Sequence, residues 1–237
     1  MATSSNLSSA AVSVVIPTYN RADLVGEAID SVLGQSRPPN EVVVVDDGST
    51  DATTPVLAAY GDRIRVVRQS NGGIGRARNA GLDVAGGEFL AFLDSDDIWM
   101  NNKLESQLIA FDSDPSLEAV FGACEQFYDP SVDAAFRERH KIKTDASPAT
   151  LSSALLVRRS AFDRVGDFEV SRSAGVDVDW FLRARESALR FLVLDQVVYR
   201  RRLHLSNNGL VNSEEANLAR VRALRASIQR RRAGAGV

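Results

Sequence analysis

The chain has 237 residues, of which 44% are hydrophobic and 25% charged, a composition typical of a globular protein with a sizeable core. Its 28 Lys and Arg residues against 31 Asp and Glu give a net charge of -3, which argues against a basic nucleic-acid-binding protein. No apolar run approaches the ~20 residues needed to span a bilayer, and the single cysteine, Cys124, cannot form an intrachain disulfide, so we predict a cytoplasmic protein without a transmembrane segment.

The chain begins with a Ser-rich stretch that lacks the basic and apolar regions of a signal peptide, which predicts a disordered leader over residues 1–11. Ala11–Ile16 predicts a first strand, which we expect Pro17 to end. A polar loop follows, and apolar residues at helical spacing then predict a helix up to Leu33.

A second predicted strand, Glu41–Val45, is rich in β-branched residues and runs into an acidic loop. A short helix should then reach about Tyr60, and Arg63–Arg68 alternates apolar and charged residues as a strand near the sheet edge does. Ser70–Gly81 reads as a Gly-rich turn that leads into a helix. Such a loop at a helix N-terminus can hold an anion, although Gly-rich turns are common.

Phe89–Leu93 is a nearly unbroken apolar run, typical of a strand buried on both faces of a parallel sheet. It ends abruptly in the tetrad Asp94–Asp97, which carries three carboxylates. A hard divalent cation such as Mg²⁺ or Mn²⁺ would cancel their charge. The alternative is a turn in which these side chains cap the next helix.

Strand and helix patterns alternate as far as the predicted helix Asn101–Asp112, which predicts an α/β fold with a mostly parallel central sheet flanked by helices. Three of the strands end in polar or acidic loops, at 17–21, 46–51 and 94–97. In open α/β sheets the ligand binds at this edge. The recurrence therefore favours a ligand site over turn chemistry.

The regular alternation weakens beyond Pro115. We predict strands at Glu118–Phe127 and Thr150–Arg159, separated by a long irregular insertion, Tyr128–Ala149. The remaining predicted elements are a short helix after Ser160, an amphipathic helix over Gly175–Ala188, a strand over Phe191–Arg202 and a charged helix from Asn212 to Arg232. The last helix is basic at its end, and we favour packing with a solvated face over contact with an anionic membrane surface.

Taken together, these motifs resemble the family-two nucleotide-sugar glycosyltransferases, which have the GT-A fold. Each motif is weak alone, but several in the right order are strong. The segments that carry the resemblance are Val14–Arg21, Val45–Asp51, Asn71–Gly73, Arg76–Gly81, Phe92–Asp97, Val157–Ser160, Val165–Phe168 and Gly175–Trp180.

The resemblance implies a Rossmann-like GT-A domain over residues 12–210, with a smaller acceptor-side region towards the C-terminus. The nucleotide-binding half would span 12–100, the acceptor half 101–210, and a C-terminal helix 211–237. The implied activity is that of a metal-dependent, hexosyltransferase-type enzyme that moves a sugar from a nucleotide-diphosphate donor, in the first instance a UDP-sugar. A single in-line displacement would invert the anomeric centre.

On the donor side, the resemblance implies that Pro17 and Tyr19 form part of the wall of the nucleotide-base pocket. Asp47 would accept a hydrogen bond from a uracil-type base, and Asp46 would support that loop. Arg78 would be the cation beside the base or the diphosphate.

Asp94-Ser95-Asp96 matches the Asp-x-Asp motif of the family. By resemblance, Asp94 and Ser95 would belong to the nucleotide-sugar site, where Asp94 would contact the ribose. Asp96, together with Asp94, would hold Mn²⁺ or Mg²⁺, with Asp97 as a candidate second ligand. His204 is a further candidate, because neutral imidazole can bind a divalent metal; the alternative is a solvated loop histidine.

On the acceptor side, Asp177 matches the base that activates the acceptor. The family commonly has a Glu-Asp pair here, whereas this chain has Val176 at the first position. Asp179 lies two positions further on and does not share a helix face with Asp177. We favour Asp177 as the base, and the missing Glu leaves the manner of holding the acceptor open.

The acceptor itself stays open among a saccharide, a small molecule, a lipid-linked molecule and a peptide side chain. Two other functions compete. One is a nucleotide-sugar-binding protein without catalysis, which Val176 alone supports. The other is a nucleotidyltransferase, which is disfavoured because Pro17–Asn20 stands where that class has a Gly-rich loop followed by Lys.

Three further features have two interpretations each. Trp99 and Trp180 would either form a sugar-stacking floor or pack in the core. The basic run Arg200–Arg202 would either bind phosphate or form a solvated face.

Overall fold

One nine-stranded mixed sheet organises the part of the chain that the structure describes, a computed structural model covering residues 10–142, 145–170, 175–207 and 213–234. The predicted leader, 1–11, lies outside these residues up to residue 9, and the Ala10 side chain is buried. Residues 211 and 212, at the predicted start of the C-terminal helix, also lie outside them.

The first half of the chain builds a parallel sheet, as predicted. Its strands lie in the order β3–β2–β1–β4 and run parallel. They are β1 (Val12–Thr18), β2 (Glu41–Asp46), β3 (Arg65–Arg68) and β4 (Phe89–Phe92). The first, second and fourth are buried along almost their whole length, which is why they contain few polar residues. The third is largely exposed and lies at the edge, as its alternating pattern predicted.

Helices connect these parallel strands. They are α1 (Val25–Leu33), α2 (Thr53–Ala58) and α3 (Ile74–Val84), and a fourth helix, α4 (Lys103–Ser113), leads from this sheet into the second half of the chain. Helix α3 approaches β1 closely at Gly81, where an added Cβ would clash with the side chain of Val15. The Gly-rich turn before α3 includes Gly73, whose φ of +87° is a conformation that L side chains rarely adopt. Gly73 therefore allows the turn into α3, and Gly81 allows α3 to pack closely on β1.

The prediction that Pro17 ends the first strand is wrong. β1 continues to Thr18, and Pro17 is paired with Val45 of β2. The ladder between β1 and β4 has its last pair at Val15 and Phe92. Pro17 thus lies where β4 has already ended, so its missing N–H breaks no rung of that ladder.

The second half of the chain completes the sheet with mixed strand directions. The order continues from β4 as β8–β6–β9–β5, while β7 pairs with β6 alone. β6 and β9 are parallel, and β8 is antiparallel to both of its neighbours. These strands are β5 (Ile98–Trp99), β6 (Ala119–Tyr128), β7 (Ser147–Ala149), β8 (Leu156–Arg158) and β9 (Phe191–Leu203). The result is the expected α/β architecture, with all-parallel strands from β3 to β4 and mixed directions beyond them.

The helices of this half are α5 (Ala134–Arg139), α6 (Arg159–Val165), α7 (Val176–Glu186) and α8 (Ser213–Gly234). Two predictions are corrected here. The insertion Tyr128–Ala149 contains α5, whose first turn is capped by Asp133, and also β7. The predicted strand Thr150–Arg159 is reduced to β8, because Ser152–Ala154 forms a 3₁₀ turn.

Helix α8 packs on α7 through its small residues, since Ala219 and Ala223 are buried and Gly175 lies against Ala219. Arg230 donates to the carboxylate of Glu186 at 2.6 Å. The C-terminal helix therefore packs against α7, as predicted, although Leu218, Leu224 and Ile228 on it are exposed. No helix in the described part of the chain combines the length and apolar character required to traverse a bilayer.

Candidate active site

The polar loops that follow β1, β2 and β4 meet at one edge of the sheet. The backbone N–H of Asn20 donates to Ser49 Oγ at 2.9 Å, which joins the first loop to the second. Arg21 Nε lies 3.5 Å from Asp96 Oδ2, which joins the first loop to the third. Pro17 is buried at the base of this edge, and Tyr19 is 44% exposed above it.

Asp47 holds the Gly-rich turn before α3. Its Oδ1 accepts from Gln69 Nε2 at 2.7 Å and from the N–H of Gly72 at 2.8 Å. Its Oδ2 accepts from the N–H of Gly73 at 2.8 Å. The carboxylate is buried, so these three donors compensate for its lost hydration.

Asp46 is fully buried at the end of β2 and stabilises the loop that follows. Its Oδ1 accepts from the N–H of Ser49 at 2.9 Å, and its Oδ2 lies 3.2 Å from Arg68 Nε. The two adjacent aspartates therefore organise two different loops at the same edge.

Arg78 is the largest fully buried side chain among the described residues, and it bridges two carboxylates. Its Nη2 donates to Asp94 Oδ1 at 2.8 Å, and its Nη1 donates to Asp177 Oδ1 at 3.1 Å. The guanidinium also lies 5.2 Å from the centre of the Phe168 ring. Burial opposes the charge, but Asp177 and Asp94 raise the pKa of Arg78 above its ordinary value.

Asp94 lies at the end of β4 with its side chain 34% exposed. Its N–H donates to Ser153 Oγ at 3.2 Å. Partial burial raises its pKa and Arg78 opposes that shift, while the carboxylates of Asp177 and Asp96 add to it. Asp94 is thus an acceptor at the site whose charge depends on its cationic neighbour.

Asp96 is paired with two side chains that come from distant parts of the chain. His204 Nε2 lies 3.0 Å from Asp96 Oδ2, and His204 Nδ1 lies 3.0 Å from Ser206 Oγ. Burial would raise the pKa of Asp96, but the hydrogen bond to His204 and the charge of Arg21 lower it overall. Asp96 therefore stays ionised at the mouth of the site.

Asp97 points away from this cluster, so the structure does not support it as a second metal ligand. Its Oδ1 accepts from the backbone N–H of Arg202 at 3.0 Å, and its Oδ2 lies 3.5 Å from Ser153 Oγ. Burial, with Asp96 and Asp94 nearby, raises the pKa of Asp97 well above its usual range. Its role in this structure is to join β9 to the end of β4. Ser95 beside it is buried.

The donor set at this edge fits a divalent cation. Within the described ranges, no cluster of three or more His, Cys, Asp or Glu side chains is already arranged to hold a metal ion. Asp96 and His204 nevertheless place a carboxylate oxygen and an imidazole nitrogen 3.0 Å apart, with Asp94 two positions before Asp96. Carboxylate oxygens suit Mg²⁺ and Mn²⁺, and neutral imidazole can bind a divalent metal.

Helix α7 separates its two aspartates. Asp177 Oδ1 accepts from the N–H of Ser152 at 3.1 Å as well as from Arg78, so it faces Asp94. Asp179 Oδ2 accepts from Arg183 Nε at 2.8 Å, so it faces a different set of partners, which includes α8. Val176, which stands where the family has Glu, is buried in the core.

Three of the remaining candidates, Arg202, Trp99 and Trp180, are structural. Arg202 is buried, donating to Glu27 at 2.6 Å and to Asp129 at 2.9 Å, so it is committed to ion pairs rather than to phosphate. Trp99 and Trp180 are buried and donate their indole N–H groups to backbone carbonyls. Both tryptophans are therefore core residues and not a sugar-stacking floor.

Three residues of the site had no role assigned from the sequence. Arg21 reaches Asp96, while Ser152 and Ser153 contact Asp177 and Asp94. Arg21 lies in the first polar loop, so its position could have suggested a role. The two serines lie in a segment that reads as part of a strand, and no pattern distinguishes them.

Comparison with known proteins gives one consistent result. Residues 13–171 match the profile of the family described as Glycosyl transferase family 2. An uncharacterised glycosyltransferase of Rickettsia prowazekii is 31% identical over 225 residues, covering 89% of this chain and 70% of the relative. The chondroitin synthase of Pasteurella multocida is 30% identical over 210 residues, covering 85% of this chain and 21% of that protein.

A solved structure shows the same fold. The 1–349 fragment of S. aureus TarS in complex with UDP-GlcNAc superposes with a TM-score of 0.66 at 27% sequence identity. The match covers 84% of this chain and 60% of that fragment. This chain is thus shorter than the proteins it resembles, and the match identifies a shared domain.

Proposed function

The chain belongs to glycosyl transferase family 2, and on that premise we propose that it transfers a sugar from a UDP-sugar to an acceptor nucleophile with inversion of the anomeric carbon. The fold is the GT-A fold, in line with the match to TarS. The choice of uridine is supported by the UDP-GlcNAc bound in that TarS structure. It is also compatible with the buried Asp47 near the base of the site.

The observation that carries this proposal is the bridge that Arg78 forms between Asp94 and Asp177. Asp94 belongs to the strand-end acidic motif, and Asp177 lies far along the chain on α7. The Arg78 guanidinium bonds with both carboxylates. A nucleotide sugar bound at Asp94 would therefore lie close to Asp177. A base must lie within reach of the acceptor's proton, and this arrangement allows it.

On the donor side, Pro17, Tyr19 and Asp47 would surround the nucleotide base. Asp47 already accepts from three loop donors, so its contribution to the base would add to its role in holding the Gly-rich turn. Asp94 would accept from the ribose hydroxyls with its exposed oxygen, with Ser95 beside it.

Asp96 and His204, with Asp94, would hold Mn²⁺ or Mg²⁺. When bound, such an ion supplies Lewis-acid stabilisation of the departing diphosphate. Arg21 lies 3.5 Å from Asp96 and compensates part of the charge at the same place. Arg78 does the same for Asp94 and Asp177.

Asp177 would take the proton from the acceptor as the acceptor attacks the anomeric carbon. Its Oδ1 accepts from Arg78 and from Ser152, which hold the carboxylate in one orientation. A single displacement from the side opposite the leaving group inverts the configuration. The partly exposed side chain of Asp177 leaves room for an acceptor to approach.

A second candidate is a protein that binds the nucleotide sugar without catalysis. The buried Val176 favours it, because an apolar side chain in the core cannot hold an acceptor hydroxyl as the family's Glu would. The retained Asp177 favours the enzyme.

The test is calorimetric titration of UDP into the protein, first with Mn²⁺ and then with a chelator. We expect binding to the wild type to require the metal and to be lost in Asp96→Ala. Asp83→Ala is the matched control, because Asp83 is an exposed aspartate on α3. Metal-independent binding of equal strength in Asp96→Ala would overturn the assignment of Asp96.

Turnover distinguishes the two candidates. The enzyme proposal expects UDP release from UDP-GlcNAc or another UDP-sugar, slowly with water and faster with a suitable acceptor. Metal-dependent UDP binding with no release across a wide acceptor panel would favour the binding protein.

A further inference from the structure

Three consecutive backbone carbonyls in the 3₁₀ turn after β7 each accept a hydrogen bond from a buried side chain. The donors come from one short stretch of chain that directly follows the acidic motif. The pairs are Trp99 Nε1 with Ser153 O at 2.9 Å, Gln107 Nε2 with Ala154 O at 2.8 Å, and Lys103 Nζ with Leu155 O at 3.1 Å. We call Trp99, Lys103 and Gln107 the carbonyl clamp.

The carbonyl clamp is rigid because its members support one another. Lys103 Nζ donates to Gln107 Oε1 at 2.7 Å and lies 4.2 Å from the centre of the Trp99 ring. Gln107 Nε2 also donates to Val120 O at 2.9 Å, which anchors the group to β6. Lys103 and Gln107 are completely buried and Trp99 almost so. A fully satisfied buried network of this kind restricts a segment to one position.

The opposite side of the clamped turn faces the reaction site. The N–H of Ser152 donates to Asp177 Oδ1 at 3.1 Å. The Oγ of Ser153 accepts from the N–H of Asp94 at 3.2 Å. The turn therefore touches both carboxylates that Arg78 bridges, while the carbonyl clamp holds it from behind.

Lys103 is an unusual choice for a purely structural role. Burial lowers its pKa well below the ordinary value, and no carboxylate among the described residues pairs with it. An apolar side chain of similar length would fill the same space without that desolvation penalty. What the lysine adds is a hydrogen bond to Leu155 O and the orientation of Gln107.

We propose that Trp99, Lys103 and Gln107 are positioning residues that hold the Ser152 N–H where it orients Asp177. The catalytic consequence rests on the function proposed above. Removal of a supporting group of this kind should lower turnover by about tenfold to a hundredfold while leaving nucleotide affinity unchanged. A residue that only stabilised the core would not produce that split.

The test compares Lys103→Met and Gln107→Met with Leu108→Ala. The two methionine variants keep side-chain volume and remove the donors, whereas Leu108→Ala truncates a buried side chain on the same helix. Amide hydrogen exchange of a peptide containing Ser152 reports its N–H, and UDP release from UDP-GlcNAc with Mn²⁺ reports turnover. We expect faster exchange and lower turnover in both methionine variants, with UDP affinity unchanged, and neither change in Leu108→Ala.

A double-mutant cycle shows whether the effect passes through Asp177. In an Asp177→Asn background, Lys103→Met should lower turnover no further, since the orientation of that group no longer matters. The proposal is overturned if Ser152 stays protected in Lys103→Met, or if protection is lost with turnover unchanged. Failure of the proposed function is distinguishable, because the wild type would then release no UDP from a UDP-sugar, and the exchange measurement still decides whether the carbonyl clamp holds the turn.

Discussion

The two halves of the sheet are built on different principles. In residues 12–92, parallel strands alternate with helices, and each polar loop follows directly from the strand before it. From residue 98 onwards, strand directions are mixed, β5, β7 and β8 are only two or three residues long, and Asp177 takes its position from contacts with the first half. The fold of the first half follows from its local strand–helix pattern, whereas the second half depends on contacts with the first.

Buried polar contacts add to the β4–β8 strand pairing and the shared apolar core that join the two halves. Helix α3 supplies Arg78, which reaches Asp177, and Asn79, which exchanges two hydrogen bonds with the backbone of Phe168. One short helix of the first half thus provides polar contacts that anchor the second half. The predictions below break these contacts one at a time.

The largest expected effect is on catalysis, at Asp177, which is held in position by Arg78 of the first half. Asp177→Asn should lower the rate of sugar transfer by roughly 10²–10⁴, because a general base contributes about that much. Asp179→Asn should leave the rate within a few fold, since Asp179 faces Arg183 and Arg230 instead. Steady-state measurement of UDP release checks both variants, and equal losses in the two would show that the side of α7 facing Arg78 is not the reacting side.

Arg78→Met tests the ion pairs that Arg78 forms between the two halves. The variant leaves Asp94 and Asp177 without their shared cation, and we expect the free energy of unfolding to fall by about 3 kcal/mol. Urea denaturation measures it, with Arg76→Met as the control, because Arg76 is exposed two positions away on α3. A loss no larger than that of the control would mean that the Arg78 bridge adds nothing to the strand pairing and apolar packing that join the two halves.

Asn79→Ala removes the neighbouring contact between the halves, the two hydrogen bonds between Asn79 and the Phe168 backbone. The N–H and C=O of Phe168 would each lose the side-chain partner they have now, at 3.0 and 2.8 Å. Leaving such groups unpaired should lower the free energy of unfolding by about 2 kcal/mol. The control is Asn102→Ala, since Asn102 is exposed and its side chain forms no capping hydrogen bond. An unchanged urea midpoint for Asn79→Ala would contradict the prediction that these two hydrogen bonds stabilise the fold.

The Lys103→Met variant tests whether burial of Lys103 makes the stability of the protein depend on pH. Because burial lowers the pKa of Lys103 in the folded state, the unfolded chain binds more protons at pH values below 10.5 and above the folded-state pKa. The unfolding free energy of the wild type should therefore rise with pH across that window, relative to the variant, by at most about 1.4 kcal/mol per pH unit.

Urea titrations of both proteins at pH 7.0 and 8.5 measure this difference. No further control is needed, because the wild type and Lys103→Met share every other titrating group. Parallel pH dependences for the two proteins would show that Lys103 keeps its proton when the protein folds.

The α/β class, the four parallel strands and their polar ends could all be predicted from local pattern. An apolar run such as Phe89–Leu93, followed by aspartates, indicates both the strand and the edge where it ends. The pairing of Asp96 with His204 followed from the resemblance, which places both near the same ion. Their roles in binding remain predictions.

The rest could not be predicted because tertiary contacts decide it. Nothing local distinguishes Asp97, which turns inward to the backbone of Arg202, from Asp96, which turns outward to His204. Thr150–Arg159 reads as one strand, yet the carbonyls of its first half bond with side chains of α4 instead of a neighbouring strand. Pro17 stays in β1 only because β4 has ended beside it.

The Arg78 bridge has a consequence for chimaeric proteins made by recombination between relatives. A crossover near residue 100 would combine one parent's α3 with the other parent's α7. If the incoming segment carried a neutral residue at position 177, half of the compensation for a fully buried guanidinium would disappear. Position 78 and position 177 should therefore be inherited together, and a shuffled library that ignores this pair would lose many of its members before acceptor specificity could be screened.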